Sequence, residues 1–187
     1  VSAETGMNAL AHCVEAAWST TRTPEAEAIA LAGAHRIFSA LPRVVDAPDD
    51  LGARTDMLQG AVLGGRCLQN GSMGVHHGLA QLVGGRTGIA HGLANAMILP
   101  HAIRFNADAV PWAVAGLAVS MGVSDPADAV ADLVARGAGP HGAPDGNGHL
   151  VRDHRERASP ARIRRGRRRP GARRAVPSRL SSSCASG

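Results

Sequence analysis
A chain of 187 residues is long enough for one domain with a sizeable core, or for one domain and a tail. No apolar run approaches the ~18 residues of a membrane span and no charged-then-apolar signal segment opens the chain, so a cytoplasmic protein with no membrane partner is expected. The net charge of +5 describes neither part of it: residues 1–135 carry 7 Arg against 12 Asp and Glu, a net of −5, whereas residues 136–187 carry 13 Arg against 3 acidic residues, a net of +10.

In chain order, residues 3–19 are expected as a helix, with Ala9, Leu10, Cys13, Val14 and Ala17 spaced for a buried face. Pro24 in a first turn, followed by Glu25 and Glu27, opens a second helix that runs toward Val45 despite Pro42. Asp49 and Asp50 precede a third over residues 51–68, which stops at Asn70-Gly71. A fourth spans residues 75–83 and is expected to end at Gly84-Gly85, where Gly84-Gly85-Arg86-Thr87-Gly88 turns the chain. A fifth covers residues 91–104 with Pro100 inside it; Asn106 and Asp108 are expected to cap a sixth through Met121, and Ser124 or Asp125 a seventh from Pro126 to Arg136. Nothing alternates with period two, so the body reads as all-α, and Cys13 and Cys67 read as buried free thiols in a reducing compartment.

After Arg136 the periodicity is lost. Five Pro and eight Gly lie among 52 residues, with the run Arg164-Arg165-Gly166-Arg167-Arg168-Arg169 between them, and no core can form from this composition. The expectation is a disordered basic tail. It reads either as an arginine-rich nucleic-acid segment or, preferred here because it lacks interleaved aromatics, as the frame-shifted translation of a GC-rich gene.

The chemistry concentrates elsewhere. Gly74-Val75-His76-His77-Gly78 and Ile89-Ala90-His91-Gly92-Leu93-Ala94-Asn95 through Leu99-Pro100-His101 place four histidines in an otherwise apolar stretch, which packing alone rarely requires. Asn8 and His12 stand four apart, on one face of the first helix. His12, His77 and His91 fall on three different expected helices and can converge, and with one carboxylate they would make a ligand set for Fe²⁺ or Zn²⁺. His76 and His101 are equally well read as structural, His35 has no motif partner, and Arg86 and Arg104 read as solvated surface residues. The Gly84–Gly88 segment follows no strand, so it is not a dinucleotide fingerprint.

These motifs resemble the C-terminal half of the iron-type alcohol dehydrogenase superfamily, over roughly positions 1 to 135, and most closely its maleylacetate reductase branch. The resemblance implies the helical C-terminal domain of a dehydroquinate synthase-like fold, with the nicotinamide-binding α/β domain absent from this sequence, so that the chain is expected to be a fragment inactive by itself. It implies His12, His77 and His91 as the family's histidine positions. Asn8 stands where the metal-dependent members have an acidic ligand, and Gln81 where many of them have a further histidine. Both departures point to the branch regarded as working without a required metal. The function implied is the NADH- or NADPH-dependent reduction of maleylacetate to 3-oxoadipate in aromatic breakdown, with Asn8, His12, His77 and His91 as the catalytic residues, a small-molecule substrate and a homodimer. The alternatives are a metal-dependent alcohol dehydrogenase for simple alcohols or aldehydes, with Fe²⁺ or Zn²⁺ on His12, His77 and His91, and a basic-tailed nucleic-acid-binding helical protein.

Overall fold
The computed structural model describes residues 2–137, so the tail expected over 136–187 lies outside the described residues apart from Arg136 and Gly137. Those described are built from seven α-helices: α1 (Ser2–Ala17), α2 (Pro24–Asp46), α3 (Leu51–Asn70), α4 (Val75–Thr87), α5 (His91–Asn106), α6 (Pro111–Met121) and α7 (Pro126–Gly137). No strand occurs among them.

Helix α1 is the hub. Almost every residue from Gly6 to Ala17 is buried, as the small and apolar composition of this segment on all its faces requires. It packs against α2, α3 and α5, while α4 leans on α5 and α7 closes on α5. Leu10, Val14, Ile37, Leu41, Leu99, Ile103, Leu117 and Val130 are fully or almost fully buried, each worth about 1.5–3 kcal/mol of apolar burial. Between them the core is largely alanine, which lets helices approach closely. On α3, Gly64 sits so near α1 that a Cβ there would lie 2.8 Å from the Ala9 carbonyl oxygen.

Local chemistry sets most of the ends. Thr23 caps α2 by accepting from the Ala26 N–H at 3.1 Å, with Pro24 in the first turn. Asp50 caps α3 through the Ala53 N–H, and Asp125 accepts from the N–H groups of Ala127 and Asp128 at 2.7 and 3.1 Å at the start of α7. By length and composition α2 could cross a membrane, although no uninterrupted apolar run announces it. In the fold its apolar side, Ala30, Ala34, Ile37 and Leu41, is buried in the core, and Glu25, Arg36 and Arg43 are exposed.

Two expected boundaries are corrected. Helix α4 does not end at Gly84-Gly85 but runs on to Thr87, and terminates at Gly88, whose φ of 73° is left-handed and whose N–H returns to the Gly84 carbonyl at 2.9 Å. Asn106 does not cap α6: its amide donates back to the Ala102 carbonyl at 2.9 Å inside α5, and α6 starts after Val110 with no side-chain cap. Cys13 and Cys67 are buried and free, as expected, while Cys184 lies outside the described residues.

Candidate active site
The extension of α4 leaves only Gly88, Ile89 and Ala90 between α4 and α5. The first turn of α5 lies beside the first turn of α4, where His76 Nε2 meets the Asn95 carbonyl at 3.0 Å, and α1 packs against both. His12 from α1, His77 from α4 and His91 from α5 meet there. The His12 and His77 rings stack with centroids 4.6 Å apart and planes at 15°, and His91 lies 6.3 Å from His77. His77 is buried, His12 partly buried and His91 exposed, so the cluster opens outward through His91. At Gly92 α5 touches α1, since a Cβ would fall 2.8 Å from the Glu4 carbonyl oxygen.

A carboxylate that the sequence reading gave no role holds the cluster together. Glu15 is fully buried. Its Oε1 accepts from the Gly74 N–H at 3.0 Å and the His76 N–H at 2.9 Å, and its Oε2 accepts from the His77 N–H at 3.3 Å and from His77 Nδ1 at 2.6 Å. Burial pushes the carboxyl up, but the bonds from His77 and Gly74 and the neighbouring His76 outweigh it and leave its pKa below the ordinary value. The residue was legible in principle: an acidic side chain within Cys13-Val14-Glu15-Ala16-Ala17 must find a partner if that apolar helix is buried.

His76 is also buried, its Nε2 donating to the Asn95 carbonyl at 3.0 Å and its Nδ1 standing 3.3 Å from His77 Nδ1. Burial lowers its pKa. For His12, burial first and the neighbouring His77 and His91 next lower the pKa from 6.5 to about 4, so the ring is neutral near pH 7. Asn95 donates to the His91 carbonyl at 2.7 Å, which fixes the first turn of α5. Three buried polar atoms lack a hydrogen-bond partner among the described residues: Asn8 Oδ1, His77 Nε2 and Asn95 Oδ1.

The remaining basic and histidine residues are elsewhere. Arg104 pairs with Asp128 at 2.6 Å and ties α5 to α7, Arg86 and His101 are exposed, and His35 bonds the Ser120 carbonyl at 2.8 Å on the far side of α2. A 500 Å³ groove lined by Leu31, His35, Arg36, Ser39, Asp56 and Ser120 contains none of the clustered histidines. Gln81 is exposed on α4.

The fit of a divalent cation follows from the unpartnered atoms. The ligand atoms of Glu15, His76 and His77 all lie within 4.8 Å of one another, but they are engaged with each other through the bonds above and form a hydrogen-bonded network. Asn8 Oδ1 and Asn95 Oδ1 each offer a free acceptor, and His77 Nε2 offers another whenever the ring carries its proton on Nδ1; a cation or a proton donor satisfies any of them. Among the described residues His12 and His91 are not part of the close group of Glu15, His76 and His77; imidazole nitrogens are donors that Fe²⁺ or Zn²⁺ accepts, whereas Asn8 supplies an amide oxygen where a carboxylate would supply charge.

Comparison with known proteins shows the family. Residues 2–138 match the C-terminal region of the Fe-containing alcohol dehydrogenase family. Maleylacetate reductase 1 of Rhodococcus opacus is 38% identical over 140 residues, which is 75% of this chain and 39% of that protein, so the chain spans about two fifths of the length of this relative. The crystal structure of maleylacetate reductase from Rhizobium sp. strain MTP-10005 superposes with a TM-score of 0.70 at 33% identity, covering 80% of this chain and 43% of that one. Sulfoacetaldehyde reductase from Bifidobacterium kashiwanohense, solved in complex with NAD⁺, is similar with a TM-score of 0.68 at 30% identity over 73% of this chain and 37% of its own. The seven-helix body and a family match that runs over all of its helices make this chain a member of the Fe-containing alcohol dehydrogenase family, corresponding to its C-terminal region.

Proposed function
We propose that the chain belongs to an NADH- or NADPH-dependent, cytoplasmic, homodimeric oxidoreductase of the maleylacetate reductase type, reducing maleylacetate to 3-oxoadipate in the breakdown of aromatic compounds. The observation that carries this reading is Asn8, a neutral amide with a buried, unpartnered oxygen one helical turn before His12, where a carboxylate would complete an anionic metal site. Its similarity to maleylacetate reductase 1 of Rhodococcus opacus supports the same choice.

A nicotinamide, which a domain outside this chain would mainly hold, would supply the hydride for the activated double bond. The proton falls to the histidines. His77 presents an unprotonated Nε2, which takes a proton from solvent and delivers it to the substrate carbon, while Glu15, against Nδ1, stabilises the imidazolium that forms in between. His12, held neutral by burial, serves as an N–H donor to the enolate-like oxygen rather than as a second cation. Asn8 and the exposed His91 complete the lining of the site.

A metal-dependent alcohol dehydrogenase is the second reading, favoured by the same free acceptors at His77 Nε2 and Asn8 Oδ1. In that case His12, His77 and His91 would hold Fe²⁺ or Zn²⁺, which would polarise a carbonyl oxygen. Purified product of the intact gene, assayed with maleylacetate and with a panel of simple aldehydes, separates the two. Oxidation of NADH or NADPH that depends on maleylacetate supports the first; turnover confined to the aldehydes overturns it.

A further inference from the structure
The hydrogen bonds around His76 and His77 determine which ring nitrogens carry protons. The Asn95 carbonyl can only accept, so His76 Nε2 at 3.0 Å carries a proton and, in the neutral ring, His76 Nδ1 does not. That bare Nδ1 faces His77 Nδ1 at 3.3 Å, and Glu15 Oε2 faces the same atom at 2.6 Å. Two acceptors converge on His77 Nδ1, and both require a proton there. His77 Nε2 is then bare, and it is the ring atom left without a partner.

We propose that Glu15 is a positioning residue: it locks His77 in the Nδ1–H tautomer, so that an unprotonated Nε2 faces the site. This rests on the reading of His77 as a working residue of that site. Glu15 does so from a place that a single substitution disturbs in a defined way. The carboxylate receives four donors, three backbone N–H groups at the start of α4 and the His77 ring, and Gly74 ahead of α4 brings no side-chain cap of its own. One group on α1 thus closes the N-terminus of α4 and sets the state of the ring that α4 carries.

Replacing Glu15 by Gln leaves one acceptor oxygen for these donors. If that oxygen keeps Gly74 and His76, the amide NH₂ faces His77 Nδ1 and only the weaker acceptor, His76 Nδ1 at 3.3 Å, still favours a proton there, so the Nε2–H tautomer gains population. The experiment is long-range ¹H–¹⁵N correlation on the 187-residue chain labelled with ¹⁵N-histidine, near neutral pH and free of metal, with His77→Gln used to assign the ring among the 9 histidines. The wild-type chain is expected to show His77 protonated at Nδ1 and bare at Nε2, and Glu15→Gln to shift the ring measurably toward the Nε2–H tautomer. A wild-type ring protonated at Nε2, or an equal mixture, overturns the proposal; so does a folded Glu15→Gln chain whose His77 is unchanged. Should Glu15→Gln fail to fold, the wild-type spectrum decides. No substrate or nicotinamide enters this measurement, so the maleylacetate reading can fail without it, and it without the maleylacetate reading.

Discussion
Asn8 Oδ1, His77 Nε2 and Asn95 Oδ1 are buried side-chain atoms without a hydrogen-bond partner among the described residues, a costly state that a water or a ligand relieves. On the proposed chemistry, His77→Gln in the intact enzyme lowers kcat by about 10²-fold or more, because the amide cannot carry the proton; steady-state kinetics against His101→Gln, an exposed site, checks it. The titrations give a second outcome at this scale. His12 has a folded pKa of about 4 against 6.5 unfolded, so the unfolded chain binds more protons between those values. Stability is then complete above about pH 6.5 and falls as pH drops toward 4, and the depressed Glu15 carboxyl adds a loss of the same sign at the acid end. Urea unfolding at a series of pH values should show about 2 kcal/mol lost between pH 6.5 and 4 on account of His12, allowing for partial access of water to the ring, with the loss reduced in His12→Gln. His12, His77 and His91 were legible as candidates because their motif spacing is unusual for a core. Glu15 was not singled out, since its partners, three backbone N–H groups and the His77 ring, lie 59 to 62 residues away where no local pattern reveals them.

Among the elements, periodicity and caps located all seven helices, and failed where two signals of the same kind competed. Gly84, Gly85 and Gly88 each offer a stop; the chain uses Gly88 because it alone of the three adopts a left-handed backbone. Only Gly88, Ile89 and Ala90 are then left to connect α4 to α5. Helix α7 is capped by Asp125, one of the two candidates the sequence offered with Ser124, and Asp125→Ala should cost about 1 kcal/mol, measured by thermal unfolding. The contact between α1 and α5 was less legible, because a glycine in a helical pattern does not say what lies against it. Gly92→Ala places a Cβ 2.8 Å from both the Cβ and the carbonyl oxygen of Glu4, so backbone must move. A loss of about 1–3 kcal/mol is expected, together with a displaced His91 visible as a shifted ring resonance.

For the whole molecule, the all-helical class was readable from the lack of any period-two segment, whereas the arrangement of α1 as hub was not, since alanine-rich helices carry little information about which neighbour they meet. Leu51, Leu58, Val62, Leu68, Leu79 and Leu82 are exposed along α3 and α4, with exposures from 43% to 77%. An apolar surface of this extent favours association. Light scattering of the 187-residue chain should show self-association that rises with concentration and is weakened by Leu58→Glu with Val62→Glu. The central claim concerns the site, and the most direct test is reduction of maleylacetate by the intact gene product after exhaustive chelation, compared with untreated enzyme. Turnover of maleylacetate that survives chelation is the result expected of Asn8, His12, His77 and His91 acting through protons and hydrogen bonds. Turnover abolished by the chelator and restored by Fe²⁺ or Zn²⁺ would contradict it and make the histidines metal ligands.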